Sequence, residues 1–235
     1  MNLVVYGSKP AWGTPDFSPF VIKLETWLRI AGVPYERRDG GTPFQSPRGK
    51  IPFVDLDGVR MADSQLILEE VTRRAGVTLD DGMTPREQAT ARLVRRTLEE
   101  GTYFILVRQR WLEQDGWQEQ YPAFKVLMPA VVAALAVPLI RRKVRTAAQL
   151  QGVGRYHRDE AFAMAAADFA AVETLLGDQR YLLGDSPRSV DATVYAFLVA
   201  FQRHPGETAA NVAARSPRLL AYVERMAGRY WDSAR

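Results

Sequence analysis

The sequence predicts a small α/β sandwich followed by an all-helical domain. Three observations carry that expectation. Strand-like segments alternate with amphipathic helices only in roughly the first 75 residues. A break at Gly76 to Met83, centred on Asp80-Asp81-Gly82, comes next. Beyond it every apolar repeat has helical spacing and no strand pattern competes. The two domains so read span 1–77 and 84–235.

Leu3-Val4-Val5-Tyr6 is a short buried strand. The loop Gly7 to Phe17 holds Pro10, Gly13 and Pro15, which disfavour regular structure. Ser18 then opens a helix in which Phe20, Leu24, Trp27, Leu28 and Ala31 keep helical spacing, and Gly32 stops it. Pro34 to Arg37 is a second strand, and Asp39 to Pro47 supports no helix. Pro52 to Leu56 and Val59 to Met61 form a hairpin about Asp57-Gly58. Ser64 to Ala75 is an amphipathic helix with Leu66, Ile67 and Val71 in order. After the break, helices are expected over 84–113, 122–145, 159–176, 191–201 and 217–230. Gly152-Val153-Gly154-Arg155 lacks a preceding strand and a third glycine, so it is an interhelical turn rather than a dinucleotide fingerprint.

Composition narrows the function. The 31 basic and 27 acidic residues nearly balance, unlike the concentrated basic stripe of a nucleic-acid binder. With no cysteine, disulfides, thiolate metal sites and a cysteine nucleophile are excluded. Only His157 and His204 offer imidazole, so no metal is expected. The N-terminus reads as a strand rather than a signal peptide, and a cytoplasmic protein is the expectation. The longest apolar run, Val126 to Ile140, is interrupted by Pro129 and Pro138 and falls short of a bilayer span. Arg141, Arg142, Lys143 and Arg145 come after it as a solvated helix end, with membrane contact the less favoured reading.

Three stretches stand out as a site. Ser18-Pro19-Phe20 and Ala62-Asp63-Ser64 open helices, whose free N–H groups favour anions. Lys50-Ile51-Pro52-Phe53 sets an X-Pro bond, cis or trans, beside a cation.

A thioredoxin-like sandwich ahead of an all-helical bundle resembles the glutathione transferase superfamily. Ser18 to Leu28, Ser46 to Pro52, Gln151 to Arg155 and Gly184 to Thr193 narrow the likeness to its failed-axon-connections and metaxin-like branch. The resemblance implies a site for glutathione or a related low-molecular-weight thiol, conjugated or transferred to a small electrophile. It equally allows a non-catalytic interaction protein whose working surface is Arg141 to Arg145. A homodimer is expected by resemblance alone.

On that resemblance Ser18 would keep the thiol ionised, against the plainer role of an N-cap. Tyr6 is the runner-up, otherwise a strand aromatic; Trp12 either walls the cleft or anchors its loop. Ile51 and Pro52 match the superfamily's cis-proline position, where Ile51 would pair with a cysteinyl backbone. Arg48 and Lys50 would meet the glycyl carboxylate unless simply solvated. Asp63 and Ser64 would grip the γ-glutamyl end, a role compatible with capping. Glu99, Tyr103, Val107 and Trp111 share one face of a regular helix, bordering the second-substrate pocket or packing the core. One departure concerns stability. Arg188 replaces the Ser or Thr of the family's capping box, so only half a box, made by Asp191, is expected.

Overall fold

The computed structural model describes residues 1–127 and 130–232. Met128 and Pro129, inside the long apolar run, lie outside the described residues. The chain begins with β1 (Leu3–Tyr6), α1 (Pro19–Ile30), β2 (Glu36–Arg38), β3 (Phe53–Leu56), β4 (Val59–Ala62) and α2 (Ser64–Ala75). The sheet order is β2-β1-β3-β4; β1 runs parallel to β2 and antiparallel to β3, which is antiparallel to β4. Strand alternation sorts the two faces. Leu3, Val5, Val54 and Leu56 pack with Leu24, Trp27 and Leu28 of α1 and with Ile67, Leu68 and Val71 of α2. Tyr6 points the other way and stacks on Phe53 at 4.6 Å. The expected hairpin turn has positive φ at both Asp57 and Gly58, the backbone that joins tightly twisted strands. In the 39–47 loop only a single 3-10 turn, Pro43–Gln45, forms.

The helical half contains α3 (Pro85–Arg96), α4 (Tyr103–Val107), α5 (Gln114–Leu127), α6 (Ala130–Gln151), α7 (Arg158–Leu176), α8 (Ser189–Gln202), α9 (Ala209–Ala214) and α10 (Pro217–Tyr230). The helix expected over 84–113 starts with a reciprocal cap between Thr84 and Glu87. It is not a regular α-helix, however, because π-helical turns at Thr97–Thr102 and Arg108–Leu112 interrupt it. The helix expected over 122–145 is also corrected: α5 ends at Leu127 and α6 runs on to Gln151. The basic run from Arg141 therefore lies within a helix and not at its end. Arg141 itself is engaged, donating Nε–H to the Trp111 carbonyl at 2.9 Å and lying 4.3 Å from the Trp117 ring centre. Val153–Arg155 is the interhelical turn expected.

Helix α1 joins the two halves. Every residue of α8 from Val190 to Gln202 is buried, and so are most residues of α1. Trp27 donates its indole N–H to Ser189 Oγ at 2.9 Å. Ile22 belongs to the core of the helical half, whereas Ala192 of α8 belongs to the core of the sandwich.

The half capping box is present. Asp191 accepts from the Arg188 N–H at 2.8 Å, the Leu182 N–H at 2.9 Å and the Tyr222 hydroxyl at 2.8 Å. The Arg188 side chain serves elsewhere, donating to the carbonyls of Leu79 and Asp81 and so pinning the linker to α8. Asp191→Ala removes the acceptor of the Leu182 and Arg188 N–H groups and leaves the Tyr222 hydroxyl only the residue's own carbonyl at 3.2 Å, and we expect it to lose about 3 kcal/mol of unfolding free energy in urea titrations. Arg188→Ser restores a cap and frees the linker; proteolysis between residues 76 and 84 should accelerate.

Candidate functional site

Ser18 occupies the N-cap position of α1 in an extended conformation, and Pro19 stands at the first helical position. The Ser18 carbonyl accepts from the Val21 and Ile22 N–H groups, both at 3.1 Å. Its hydroxyl makes no capping bond. The half-buried Oγ is thus left for a partner outside the helix.

The peptide that carries Ser18 is held at both ends. The Ser18 N–H donates to Asp16 Oδ1 at 2.7 Å, and the Phe17 carbonyl accepts from Arg110 Nη1 at 2.8 Å. Asp16 is fully buried and also accepts from Ser8 Oγ at 2.5 Å and Arg37 Nη2 at 2.7 Å. Arg37 reaches on to Glu25, to Asp39 at 2.9 Å and to the Ser8 carbonyl at 3.1 Å. Burial pushes the carboxyl groups of Asp16 and Glu25 up, and the Arg37 guanidinium opposes it. Gly7 closes this nest: a Cβ there would stand 2.7 Å from Asp16 Oδ2.

The Ile51–Pro52 peptide bond is cis, and Pro52 is buried at the entry to β3. Arg48 and Lys50 are exposed on the preceding loop. Asp63 caps α2 at a positive φ, its Oδ1 accepting from the N–H groups of Gln65 (2.9 Å) and Leu66 (3.1 Å). Ser64 is 6 % exposed at the first turn. Beside it lies a cluster that sequence reasoning missed. Lys23 of α1, 1 % exposed, pairs with Glu99 Oε1 at 2.5 Å and bonds Gln65 Oε1 at 3.1 Å. Glu99 also meets Arg95 at 3.1 Å and Thr193 at 3.4 Å. Burial pulls the Lys23 ammonium down, with Glu99 opposing.

The remaining candidates separate. Tyr6 lies on the sheet face opposite α1, its hydroxyl donating to Asp55 Oδ2 at 3.0 Å, so it is not brought to Ser18. Trp12 packs 5.5 Å from Phe17 and 5.0 Å from His204, which anchors the loop beside the Ser18 peptide. Tyr103 meets Phe20 edge-on at 4.8 Å, and burial pushes its hydroxyl up. Trp111 instead packs against Trp117 at 5.8 Å. Of the single face expected for Glu99, Tyr103, Val107 and Trp111, Glu99 and Tyr103 both meet α1, through Lys23 and Phe20, whereas Trp111 leaves that face. A π turn adds a residue to the helical count and rotates every later side chain about the axis. The inward side of the second π turn is instead Arg108, Gln109 and Arg110, three consecutive buried polar residues. Burial lowers Arg110 to about 10. No group of three or more His, Cys, Asp or Glu side chains gathers in a metal-holding arrangement among the described residues.

Comparison with known proteins converges on one family. Residues 19–116 match the glutathione S-transferase N-terminal domain, and residues 165–226 the glutathione S-transferase C-terminal domain. The chain is 33 % identical over 236 residues to isoprene-epoxide–glutathione S-transferase of Rhodococcus sp. (strain AD45), covering 97 % of this chain and 99 % of that protein. It is 25 % identical to Failed axon connections of Drosophila melanogaster, covering 90 % of this chain and 54 % of that protein. Human metaxin-1 is 23 % identical, with 80 % of this chain and 42 % of that protein covered. The chain therefore spans about half or less of those two longer relatives. Among solved structures, a rice glutathione S-transferase in complex with glutathione shares the fold at a TM-score of 0.60, with 18 % identity, 99 % of this chain and 90 % of that chain covered.

The buried Asp16–Arg37–Glu25 group predicts a pH signature. Arg37→Met leaves two buried carboxylates unpaired and should cost about 3 kcal/mol near neutral pH. Both carboxyls have folded pKa values raised above their unfolded ones, so protonation relieves the penalty. The stability deficit against wild type, read from urea midpoints, should shrink as pH falls from about 8 to about 5.

Proposed function

Because this chain belongs to the glutathione S-transferase family, we propose that it binds glutathione between Ser18, Ile51–Pro52 and Asp63–Ser64 and presents the thiol at Ser18 to a small electrophile. The observation that carries this reading is the Ser18 hydroxyl, which stands at a helix N-terminus without capping it. An N-cap serine ordinarily bonds the third helical N–H, so the simpler role is not in use here.

The magnitudes suffice. A free thiol ionises near pKa 8.5, and lowering that by about two units requires roughly 2.7 kcal/mol. A hydroxyl donating to an anion contributes about 1.5–3 kcal/mol, and the helix N-terminus about 0.3–1 kcal/mol. One serine at one helix start meets the requirement, with no general base and no metal. With the thiol proton lost to solvent, the thiolate sulfur attacks an electrophilic carbon and forms a C–S bond as the carbon–heteroatom bond breaks, an opened epoxide oxygen taking its proton from water. The γ-glutamyl end would lie at Ser64, with Asp63 offsetting its ammonium. Its main chain would run along Ile51, and Arg48 or Lys50 would meet its glycyl carboxylate. Epoxides are the first electrophiles to test, since the Rhodococcus relative is named for one.

A second reading, a non-catalytic interaction protein, is favoured by the likeness to Failed axon connections and metaxin-1. Exposed Arg142, Lys143 and Arg145 on α6, next to exposed Leu139 and Ile140, would form its contact surface. No helix is long and apolar enough to cross a membrane among the described residues.

Retention on immobilised glutathione and turnover of a small epoxide separate the two readings. The first expects both, with Ser18→Ala lowering turnover about tenfold or more while glutathione retention persists. Undiminished turnover in Ser18→Ala would remove Ser18 from this role. Failure to bind glutathione, with sedimentation on anionic vesicles, would favour the second.

A further inference from the structure

Arg110 is a buried cation without a counter-charge. Its side chain is 4 % exposed, and no carboxylate lies within ion-pair distance among the described residues. The other buried cations differ: Lys23 pairs with Glu99, and Arg108 with Glu113 at 2.9 Å. Among the described residues Arg110 Nε has no hydrogen-bond partner, and Nη1 donates to the Phe17 carbonyl. The guanidinium lies 4.3 Å from the Phe17 ring centre and 5.2 Å from that of Trp12. An unpaired buried charge is strongly disfavoured unless something anionic joins it.

The groups that face it cannot fill that role. Asp16 is already engaged by Arg37, Ser8 and Ser18. Tyr103 is a neutral phenol whose ionisation burial opposes. His204, driven down to about 3 by burial and by Arg110 itself, is neutral at physiological pH. The positive charge is therefore left standing one peptide away from Ser18.

We infer that Arg110 is the positioning residue of the thiol site, fixing the Phe17–Ser18 peptide from the helical half and supplying the charge that favours thiolate over thiol. This rests on the reading that glutathione binds with its sulfur at Ser18. A planar guanidinium fits both tasks, since one N–H holds the carbonyl while the charge acts through a water-poor space. The second π turn is what delivers it, by turning three consecutive polar residues inward.

The test is an ultraviolet titration of the thiolate of bound glutathione in wild type, Arg110→Gln, Arg110→Met and Arg110→Lys. Thermal unfolding and glutathione affinity are measured alongside. The two neutral variants should raise the bound thiol pKa by about one unit and lower kcat at neutral pH several-fold, with glutathione KM changing less than about twofold. Arg110→Lys keeps the charge and should hold the thiol pKa within about 0.3 of wild type. The inference is overturned if the neutral variants keep the wild-type thiol pKa while only their melting temperatures fall. It is equally overturned if Arg110→Lys shifts the thiol as much as Arg110→Gln, or if only the lysine variant folds. Wild type that binds no glutathione, or leaves its thiol at the free value, defeats the underlying reading instead.

Discussion

The contact between α1 and α8 is the constraint on which the rest of the structure depends. Helix α1 has one side against the sheet and another against a helix that is buried along nearly its whole length. A four-stranded sheet with short strands cannot bury enough surface alone, and the helical half supplies the missing wall. Because Ile22 and Ala192 each sit in the opposite core, the two halves have no separate interiors to slide upon. The Trp27–Ser189 bond adds direction to apolar packing that is otherwise indifferent to small shifts.

That constraint determines where the candidate site lies and how it is held. With α1 fixed, its N-terminus opens at the seam between the halves. The loop before it is tied from both sides: by the Asp16–Arg37 network from the sandwich and by Arg110 from the helical half. Two polar groups act on a single peptide unit, one at its N–H and one at its carbonyl. Such a peptide has little freedom to rotate, so the direction in which Ser18 projects is set by the assembly of both halves. A second tie runs below it, where Lys23 links α1, α2 and the first π turn through Gln65 and Glu99.

Much of the architecture was legible in the sequence because it arises from periodicity and punctuation. The strand at Leu3 to Tyr6, the Asp57-Gly58 hairpin and the Ser64 to Ala75 helix rest on local patterns that tertiary context reinforced. The half capping box at Asp191 was legible too, but the reason for Arg188 was not, since it clamps a linker more than 100 residues away, as the 109-residue separation from Leu79 shows. The π turns left no periodic trace. They moved Trp111 from the expected face and brought in Arg110, whose charge reads in sequence as a solvated surface residue. Tyr6 was misleading for a related reason: its place at a strand end says nothing about which face it joins. Asp16 and Arg37 carried a faint hint in Gly7, a position where any side chain would strike the carboxylate.

The difference between the two sets of buried charges separates structure from function. In the Asp16–Arg37–Glu25 group every charge has an opposite neighbour and further hydrogen bonds, which is how a protein makes buried ions tolerable. Lys23 and Glu99 obey the same rule. Arg110 breaks it within reach of the same peptide, and Ser18 breaks the parallel rule that an N-cap hydroxyl bonds its own helix. Local rules that fail together at one place, amid others that are obeyed, mark where stability has been set aside for another end. A donor hydroxyl and an uncompensated cation on opposite ends of one clamped dipeptide have a common complement, an anion arriving from outside. The thiolate of the proposed glutathione complex would carry that charge.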